Sequence, residues 1–330
     1  MRKIISLFAA LILCITSAVS TGLAEEKKIS VVTAIFPIYD WAREVIGENE
    51  NAELTLLLDS GVDLHSYQPT AADIMKIASC DVFIYVGGES DKWVEDALKE
   101  AVNPNLTVVS LLEVLGSDVK PEEIVEGMEH EHEDHDHEED GHGEDHDHDH
   151  EEEADEHVWL SLRNAQKLVS AMAEALGRAD PAHAEGYLAN AAKYNEQLAA
   201  LDAEYEKAVS ASAHHTVLFG DRFPFRYLVD DYGLDYFAAF SGCSAETEAS
   251  FQTIIFLAQK VDELQLPAVL TIEGANHKIA ETVIGATASK NQAVLTMNSM
   301  QGCTLQDIRA GVTYLSIMEE NLEVLRQALN

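Results

Sequence analysis

One stretch of the chain, residues 122–156, is rich in side chains that bind metal ions. It holds 20 of the 59 Asp and Glu residues and no Lys or Arg. Eight of the 14 histidines alternate with these carboxylates: His130, His132, His135, His137, His142, His146, His148 and His150. Imidazole is a leading ligand for zinc, copper and nickel, and carboxylates add charge and oxygen ligands. Because the stretch has too few apolar residues to form a core, it predicts a disordered loop with several weak, exchangeable metal sites. The alternative is an acidic loop that only contacts solvent or responds to pH.

Two further histidines stand in short motifs outside this loop. His65 lies in GVDLHSYQPT, residues 61–70, between the end of a predicted strand and a predicted helix. Ligands of open α/β sheets bind at that edge, beyond the carboxyl ends of the strands. His157 lies in DEHVWLS, residues 155–161, directly after the His-rich loop. Either histidine alone is compatible with a structural role in a loop.

The two motifs together resemble those of the metal-specific solute-binding proteins of ABC importers, in particular the zinc-uptake branch. These proteins carry H-x-Y-x-P-T, then a His-rich loop, then D-x-H-x-W-L-S, and the resemblance extends over nearly the whole chain after residue 24. It implies two α/β lobes joined by one long, rigid helix, with the metal in the cleft between them. It also implies delivery of zinc or manganese to a membrane permease, with His65 and His157 as the first two metal ligands.

The ligands expected from the second lobe depart from the family pattern, which has a segment like H-D-A-F-G-Y. The matching stretch is FGDRFPFRY, residues 219–227. One inserted residue places Asp221 at the ligand position, whereas a gap-free match places Arg222 there, which cannot ligate. We prefer Asp221, because a carboxylate oxygen can bind zinc, although it could instead pair with an arginine or cap the next helix. Glu273 and His277 follow another predicted strand, and either could complete the site; a helix-cap role is the alternative for His277.

Ligand type predicts the metal and the function. Imidazoles with a carboxylate favour zinc, and manganese is the alternative because the second-lobe candidates are rich in oxygen. We expect a monomeric binding protein that captures zinc and passes it to an ABC permease, with the His-rich loop as an auxiliary collector. A secreted zinc buffer or chaperone without a permease is an alternative. A secreted zinc hydrolase is another, but no H-E-x-x-H motif occurs, and we expect no catalytic residues.

The elements that must position these residues alternate between strand and helix. Strand-like runs cover residues 28–34, 53–58, 81–86, 106–111, 216–219, 268–272 and 293–297. Helical patterns separate them, and the longest begins at Pro181 and ends near Ser210. This rhythm predicts an α/β protein with two lobes, each with a mostly parallel sheet. The predicted lobes are residues 25–178, which include the His-rich loop, and 212–330, with a linking helix over 179–211.

Charge and composition restrict the partners. The 330 residues include 21 Lys and Arg, so the formal net charge is −38, which repels nucleic acid and anionic membranes. Hydrophobic residues make up 47%, enough for packed cores. We therefore expect a folded protein whose partners include cations and exclude nucleic acid.

The amino terminus and the cysteines predict the compartment. A basic pair, an apolar run over 4–15 and small residues before Ala24 predict a signal peptide, residues 1–24. The mature protein is then periplasmic or associated with the cell surface, and a lipid anchor at Cys14 is the alternative. Export permits disulfides, and Cys243 and Cys303, which each follow a glycine in a similar turn setting, are predicted to pair.

Overall fold

Two parallel sheets form the framework of the protein. The computed structural model describes residues 28–128, 153–244, 248–274 and 276–330. Its strands are β1 (Ile29–Thr33), β2 (Ala52–Leu56), β3 (Val82–Tyr85), β4 (Thr107–Ser110), β5 (Thr216–Phe223), β6 (Asp235–Ser241), β7 (Ala268–Ile272) and β8 (Ala293–Met297). The strand orders are β2-β1-β3-β4 and β6-β5-β7-β8, and neighbouring strands are parallel. The two lobes therefore repeat one topology, and the predicted fold class is confirmed.

Helices cover the sheets and connect the lobes. They are α1 (Phe36–Ile46), α2 (Ala71–Ser79), α3 (Trp93–Lys99), α4 (Leu111–Leu115), α5 (Leu162–Ala179), α6 (Ala184–Ser210), α7 (Arg226–Tyr232), α8 (Phe251–Leu264), α9 (Lys278–Ala286), α10 (Leu305–Arg309) and α11 (Tyr314–Ala328). Within the described residues, none of these helices combines the length and apolar character needed to cross a membrane. The predicted signal peptide and the eight histidines of the His-rich loop lie outside the described residues.

Local sequence explains most of these elements. The Thr70 hydroxyl accepts from the Asp73 amide and the Asp73 carboxylate accepts from the Thr70 amide, so the capping box expected from the sequence is present at the start of α2. The strand β6 is absent from the sequence prediction, because its sequence DYFAAFS lacks the β-branched residues that mark a strand. The helix α6 begins at Ala184 rather than near Pro181, since residues 181–183 form a turn.

The long helix α6 packs against both halves of the chain. Its buried residues recur every three or four positions: Tyr187, Ala191, Tyr194, Leu198, Leu201, Tyr205 and Val209. This face lies on α1 and α5 of the first half and on α7 and α11 of the second. At 27 residues the helix is about 40 Å long, so it spans the protein as one element.

The ends of the predicted His-rich loop are ordered. Pro121 forms an antiparallel bridge with Ala154, and the Glu122 amide donates to the carbonyl of Glu153 at 2.7 Å. Asp155 and Glu156 are buried. The prediction of a disordered loop over the whole of residues 122–156 is therefore wrong at both ends, because these flanking residues form backbone pairs and enter the core.

Residues of the second half also anchor the segment after His157. The Trp159 indole N–H donates to the Ser299 carbonyl at 2.9 Å, and the Tyr314 hydroxyl donates to the Trp159 carbonyl at 2.7 Å. Tyr314 is fully buried and packs edge-on against Trp41, with ring centroids 5.0 Å apart. The position of His157 thus depends on contacts between the lobes.

Removing the Tyr314 hydroxyl tests this anchor. In Tyr314→Phe the buried Trp159 carbonyl loses its donor, which should lower the free energy of unfolding by about 1–3 kcal/mol. Urea denaturation followed by circular dichroism measures the loss. Tyr205→Phe is the matched control, because it removes a similarly buried hydrogen bond to the Met318 carbonyl. It should destabilise to a similar extent, but only Tyr314→Phe should change the tryptophan fluorescence of the folded protein. Unchanged stability in Tyr314→Phe would contradict this account.

Candidate metal centre

His65 is held by the loop that follows β2. Asp63 precedes a short 3-10 turn over Leu64–Ser66, and its Oδ1 accepts a hydrogen bond from the His65 amide at 3.0 Å. On the ring, Nδ1 lies 2.8 Å from the Ser90 hydroxyl and 3.5 Å from Oε2 of the buried Glu156. These contacts hold the Nδ1 edge of the ring and leave Nε2 of His65 facing His157.

His157 is held more tightly by its own motif. The Asp155 Oδ1 accepts from the His157 amide at 2.8 Å and lies 3.0 Å from Nδ1 of the ring. The His157 side chain is fully buried. A carboxylate on the far nitrogen of a histidine fixes its tautomer and its orientation, as is common behind metal ligands.

The two imidazoles face each other through their Nε2 atoms, which are 3.1 Å apart. The Asp155 carboxylate can accept a hydrogen bond from Nδ1 of His157, and the Ser90 hydroxyl lies within hydrogen-bond distance of Nδ1 of His65, with Glu156 beside it. With the ring proton on Nδ1 of each histidine, both Nε2 atoms would be free to bind the same cation. With Zn–N bonds of 2.0–2.1 Å and tetrahedral angles, two nitrogen ligands are about 3.3 Å apart, close to the observed spacing.

The electrostatics keep His65 ready to bind a metal. Burial, and then the neighbouring His157, lower the pKa of His65 to about 4. The ring is therefore neutral at physiological pH. Burial raises the pKa of the adjacent Glu156, with the Ser90 hydrogen bonds opposing that shift. The two imidazoles therefore lie beside partly desolvated carboxyl groups. A bound cation would favour the ionised form of these groups.

A third potential ligand comes from the second lobe. Cys243 follows β6, and its Sγ and a ring nitrogen of each histidine all lie within 4.8 Å of one another. Among the described residues this is the group of His, Cys, Asp and Glu side chains arranged closely enough to hold an ion. Burial, and then Glu122, raise the pKa of the Cys243 thiol well above its usual range, so the thiol is protonated without a cation.

The predicted disulfide is wrong. Cys243 and Cys303 are both free thiols, and Cys303 is buried. The two cysteines follow glycines in similar turns, but this similarity does not bring them together, because each turn follows a different strand of the sheet. Cys243 was not among the ligands predicted from the sequence, because no strand was predicted over residues 235–241 and no local pattern marked the cysteine that follows them.

The carboxylates predicted as second-lobe ligands have other partners. Asp221 accepts from the Arg222 amide at 2.9 Å and from the Ile272 amide at 3.3 Å. The Glu273 Oε2 accepts from the Ser299 amide at 2.6 Å, and its Oε1 accepts from the Ser299 hydroxyl at 2.7 Å. Glu273 therefore fixes the segment whose carbonyl receives the Trp159 indole. Neither carboxylate belongs to the group formed by the two histidines and Cys243.

The other two predicted positions also lie outside that group. His277 directly precedes α9, as the alternative helix-cap assignment expected, and its buried Nδ1 has no hydrogen-bond partner among the described residues. Arg222 reaches across the cleft and donates to Asp63 Oδ2 at 2.8 Å. The position that matches a family ligand without a gap thus forms an ion pair between the lobes, two residues from His65.

Fold and site together define a two-lobed α/β binding protein with a candidate cation site between its lobes. The chain belongs to the family described as zinc-uptake complex component A, periplasmic, whose sequence profile matches residues 31–328. It is 31% identical over 307 residues to the zinc-binding protein AdcA of Streptococcus pyogenes, covering 91% of this chain and 56% of that protein. It is 29% identical over 310 residues to the high-affinity zinc uptake system protein ZnuA of Bacillus subtilis, covering 93% of this chain and 90% of the relative.

Structural comparison agrees with this assignment. The fold is similar to the crystal structure of the Zn(II)-bound ZnuA-like domain of Streptococcus pneumoniae AdcA, with a TM-score of 0.68 and 26% identity. The match covers 92% of this chain and 99% of that domain. The chain spans little more than half the length of the streptococcal AdcA proteins it matches.

The lowered pKa of His65 predicts how the metal-free protein responds to acid. Because the folded ring titrates near pH 4 and an unfolded histidine near 6.5, the unfolded chain binds the extra proton between these values. Stability due to this group is fully present above pH 6.5 and decreases as the pH falls toward 4, by at most about 3 kcal/mol. In His65→Asn, unfolding in EDTA should lose that slope, so the variant gains stability relative to the parent as the pH falls. Parallel stability curves for the two proteins would contradict the assignment.

Proposed function

We propose that this protein is an extracytoplasmic solute-binding protein that captures zinc in the cleft between its lobes and delivers it to an ABC permease. The observation that carries the proposal is the pair of Nε2 atoms 3.1 Å apart, each ring backed by hydrogen-bond acceptors. Two nitrogens at this spacing can bind one zinc ion together. Membership of a zinc-uptake family and similarity to proteins named for zinc binding and zinc uptake support the choice of cargo and role.

Zinc suits the described ligands better than manganese does. Imidazole nitrogen is a borderline ligand that zinc binds well, whereas manganese prefers carboxylate, carbonyl and water oxygens. The oxygen-rich second-lobe site that favoured manganese depended on Asp221 and Glu273. Both carboxylates are hydrogen-bonded to backbone amides instead. Manganese is therefore the weaker alternative.

The His-rich loop is proposed as an auxiliary collector that raises the local zinc concentration. Support comes from where its ordered ends lie. The loop ends at the Pro121–Ala154 bridge, three residues before His157. The Tyr227 hydroxyl fastens this point, because it donates to the Asp155 carbonyl at 2.8 Å and accepts from the Lys120 amide at 3.0 Å. Both ends of the loop are therefore attached beside the segment that carries His157.

The remaining alternatives have less support. A secreted zinc buffer or chaperone would use the same cleft without a permease, and only a transport measurement separates it from the proposal. A zinc hydrolase needs a general base beside a metal-bound water. Glu273, a carboxylate at the edge of the cleft that could be offered for that role, accepts hydrogen bonds from the Ser299 segment. The family and the named relatives are zinc-uptake and zinc-binding proteins, which favours transport in the periplasm or at the cell surface.

Separating the cleft from the loop tests this division of roles. The chain from residue 25 to 330 should bind one zinc ion tightly and several more weakly in calorimetric titration with elemental analysis. His65→Ala should abolish the tight site and leave the weak ones, because the cleft loses one of its two facing nitrogens. Replacing residues 129–152 with a short Gly-Ser linker should do the opposite.

The matched control is His183→Ala. His183 hydrogen-bonds Asp180 at 2.7 Å, just before α6, and should not affect either class of site. Survival of tight, stoichiometric zinc binding in His65→Ala would exclude the cleft assignment. Loss of the tight site in the loop-replaced protein would exclude the proposed division between collector and cleft.

A further inference from the structure

The second lobe contributes a sulfur atom to the candidate site. Cys243 Sγ lies within 4.8 Å of ring nitrogens on both His65 and His157, so three ligand atoms from three separate segments converge. His65 and His157 come from loops of the first lobe, and Cys243 follows β6 of the second. A cation bound by all three would join the lobes directly.

The backbone around Cys243 is shaped for this close approach. Gly242 lies so near the His157 ring that a Cβ there would be 2.9 Å from Cε1 and 2.9 Å from the Phe223 carbonyl oxygen. Only glycine allows the turn to pack this tightly against the imidazole. The Cys243 amide donates to Glu122 Oε1 at 3.1 Å, which fixes the other side of the turn. The thiol is therefore positioned by contacts with both lobes.

The neighbouring polar groups do not compete for this role. Arg222 pairs with Asp63, and Asp221 accepts from two backbone amides. The register of β5 against β6 shifts between Phe219 and Arg222. This irregularity lies in the strand beside the one that leads to Cys243. The segment that resembles the family's second-lobe ligand position thus forms an interlobe ion pair, and the next strand presents the thiol.

We propose that Cys243 is the second-lobe metal ligand of this protein, and that it binds as a thiolate together with His65 and His157. The site is then a nitrogen and sulfur site that selects zinc strongly over manganese, because thiolate is a soft ligand. Binding displaces the thiol proton to solvent, and the cation compensates the new negative charge. This inference rests on the proposed function of zinc capture in the cleft.

Cobalt substitution tests the ligand directly. Co(II) enters zinc sites with the same geometry, and a thiolate ligand gives it an intense sulfur-to-cobalt charge-transfer band in the near ultraviolet. The chain from residue 25 to 330, loaded with one equivalent of Co(II), should show this band. Cys243→Ser should lose it. Cys303→Ser and Cys80→Ser are the matched controls, since both residues are free, buried thiols outside the group and should leave the band unchanged.

Affinity measurements complete the test. Cys243→Ser should weaken zinc binding by on the order of 100-fold or more. Cys243→Asp, which restores a charged oxygen ligand, should recover part of that loss and reduce the preference for zinc over manganese by at least about tenfold. Circular dichroism establishes that each variant is folded.

The outcomes separate this inference from the proposed function. A parent protein that binds one cobalt or zinc ion tightly without a thiolate band overturns the role of Cys243 and leaves zinc capture intact. The same conclusion follows if Cys243→Ser keeps both the band and the affinity. A parent protein with no tight site overturns both proposals. Loss of the band in Cys243→Ser alone, with a reduced zinc affinity, supports the thiolate ligand.

Discussion

The candidate metal site depends on two imidazole nitrogens held 3.1 Å apart, on His65 and His157. Contacts behind each ring keep the two nitrogens in this position. Asp155 holds His157, and Ser90 with Glu156 holds His65. Because these partners prevent the rings from turning away, a cation would not have to orient its ligands when it binds, which lowers the entropic cost of binding.

The same constraint explains why the two lobes are packed so closely around His157. The Trp159 indole bonds the Ser299 carbonyl, and the Tyr314 hydroxyl bonds the Trp159 carbonyl. Glu273 in turn holds the Ser299 segment. Hydrogen bonds thus connect Glu273, a predicted ligand of the second lobe, through Ser299 to Trp159, two residues after His157. Glu273 therefore supports the candidate metal site indirectly, by fixing the Ser299 segment, and lies outside the group formed by the two histidines and Cys243.

The candidate metal ligands of the protein fall into two groups, those of the His-rich loop and those of the cleft. In the proposed division of roles, the His-rich loop, which starts and ends at the Pro121–Ala154 bridge, offers exchangeable ligands. The proposed cleft site uses few, fixed ligands: two imidazoles and the Cys243 thiolate. Weak sites with many ligands exchange ions readily, whereas a site of fixed geometry holds one ion tightly. A protein that collects and then carries a cation needs both.

The features that could be predicted from the sequence are those that depend on contacts between residues close together along the chain. The strand and helix rhythm, the capping box at Thr70 and the D-x-H motif, in which Asp155 orients a histidine two residues later, all depend on neighbours along the chain. The contacts across the cleft, in contrast, could be identified only from the tertiary structure. Cys243 lies 86 residues from His157 and follows a strand without β-branched residues, so no local pattern marked it. The Arg222–Asp63 ion pair joins residues 159 positions apart. Such contacts depend on how the two lobes pack, and residue spacing along the chain does not encode that packing in a readable pattern.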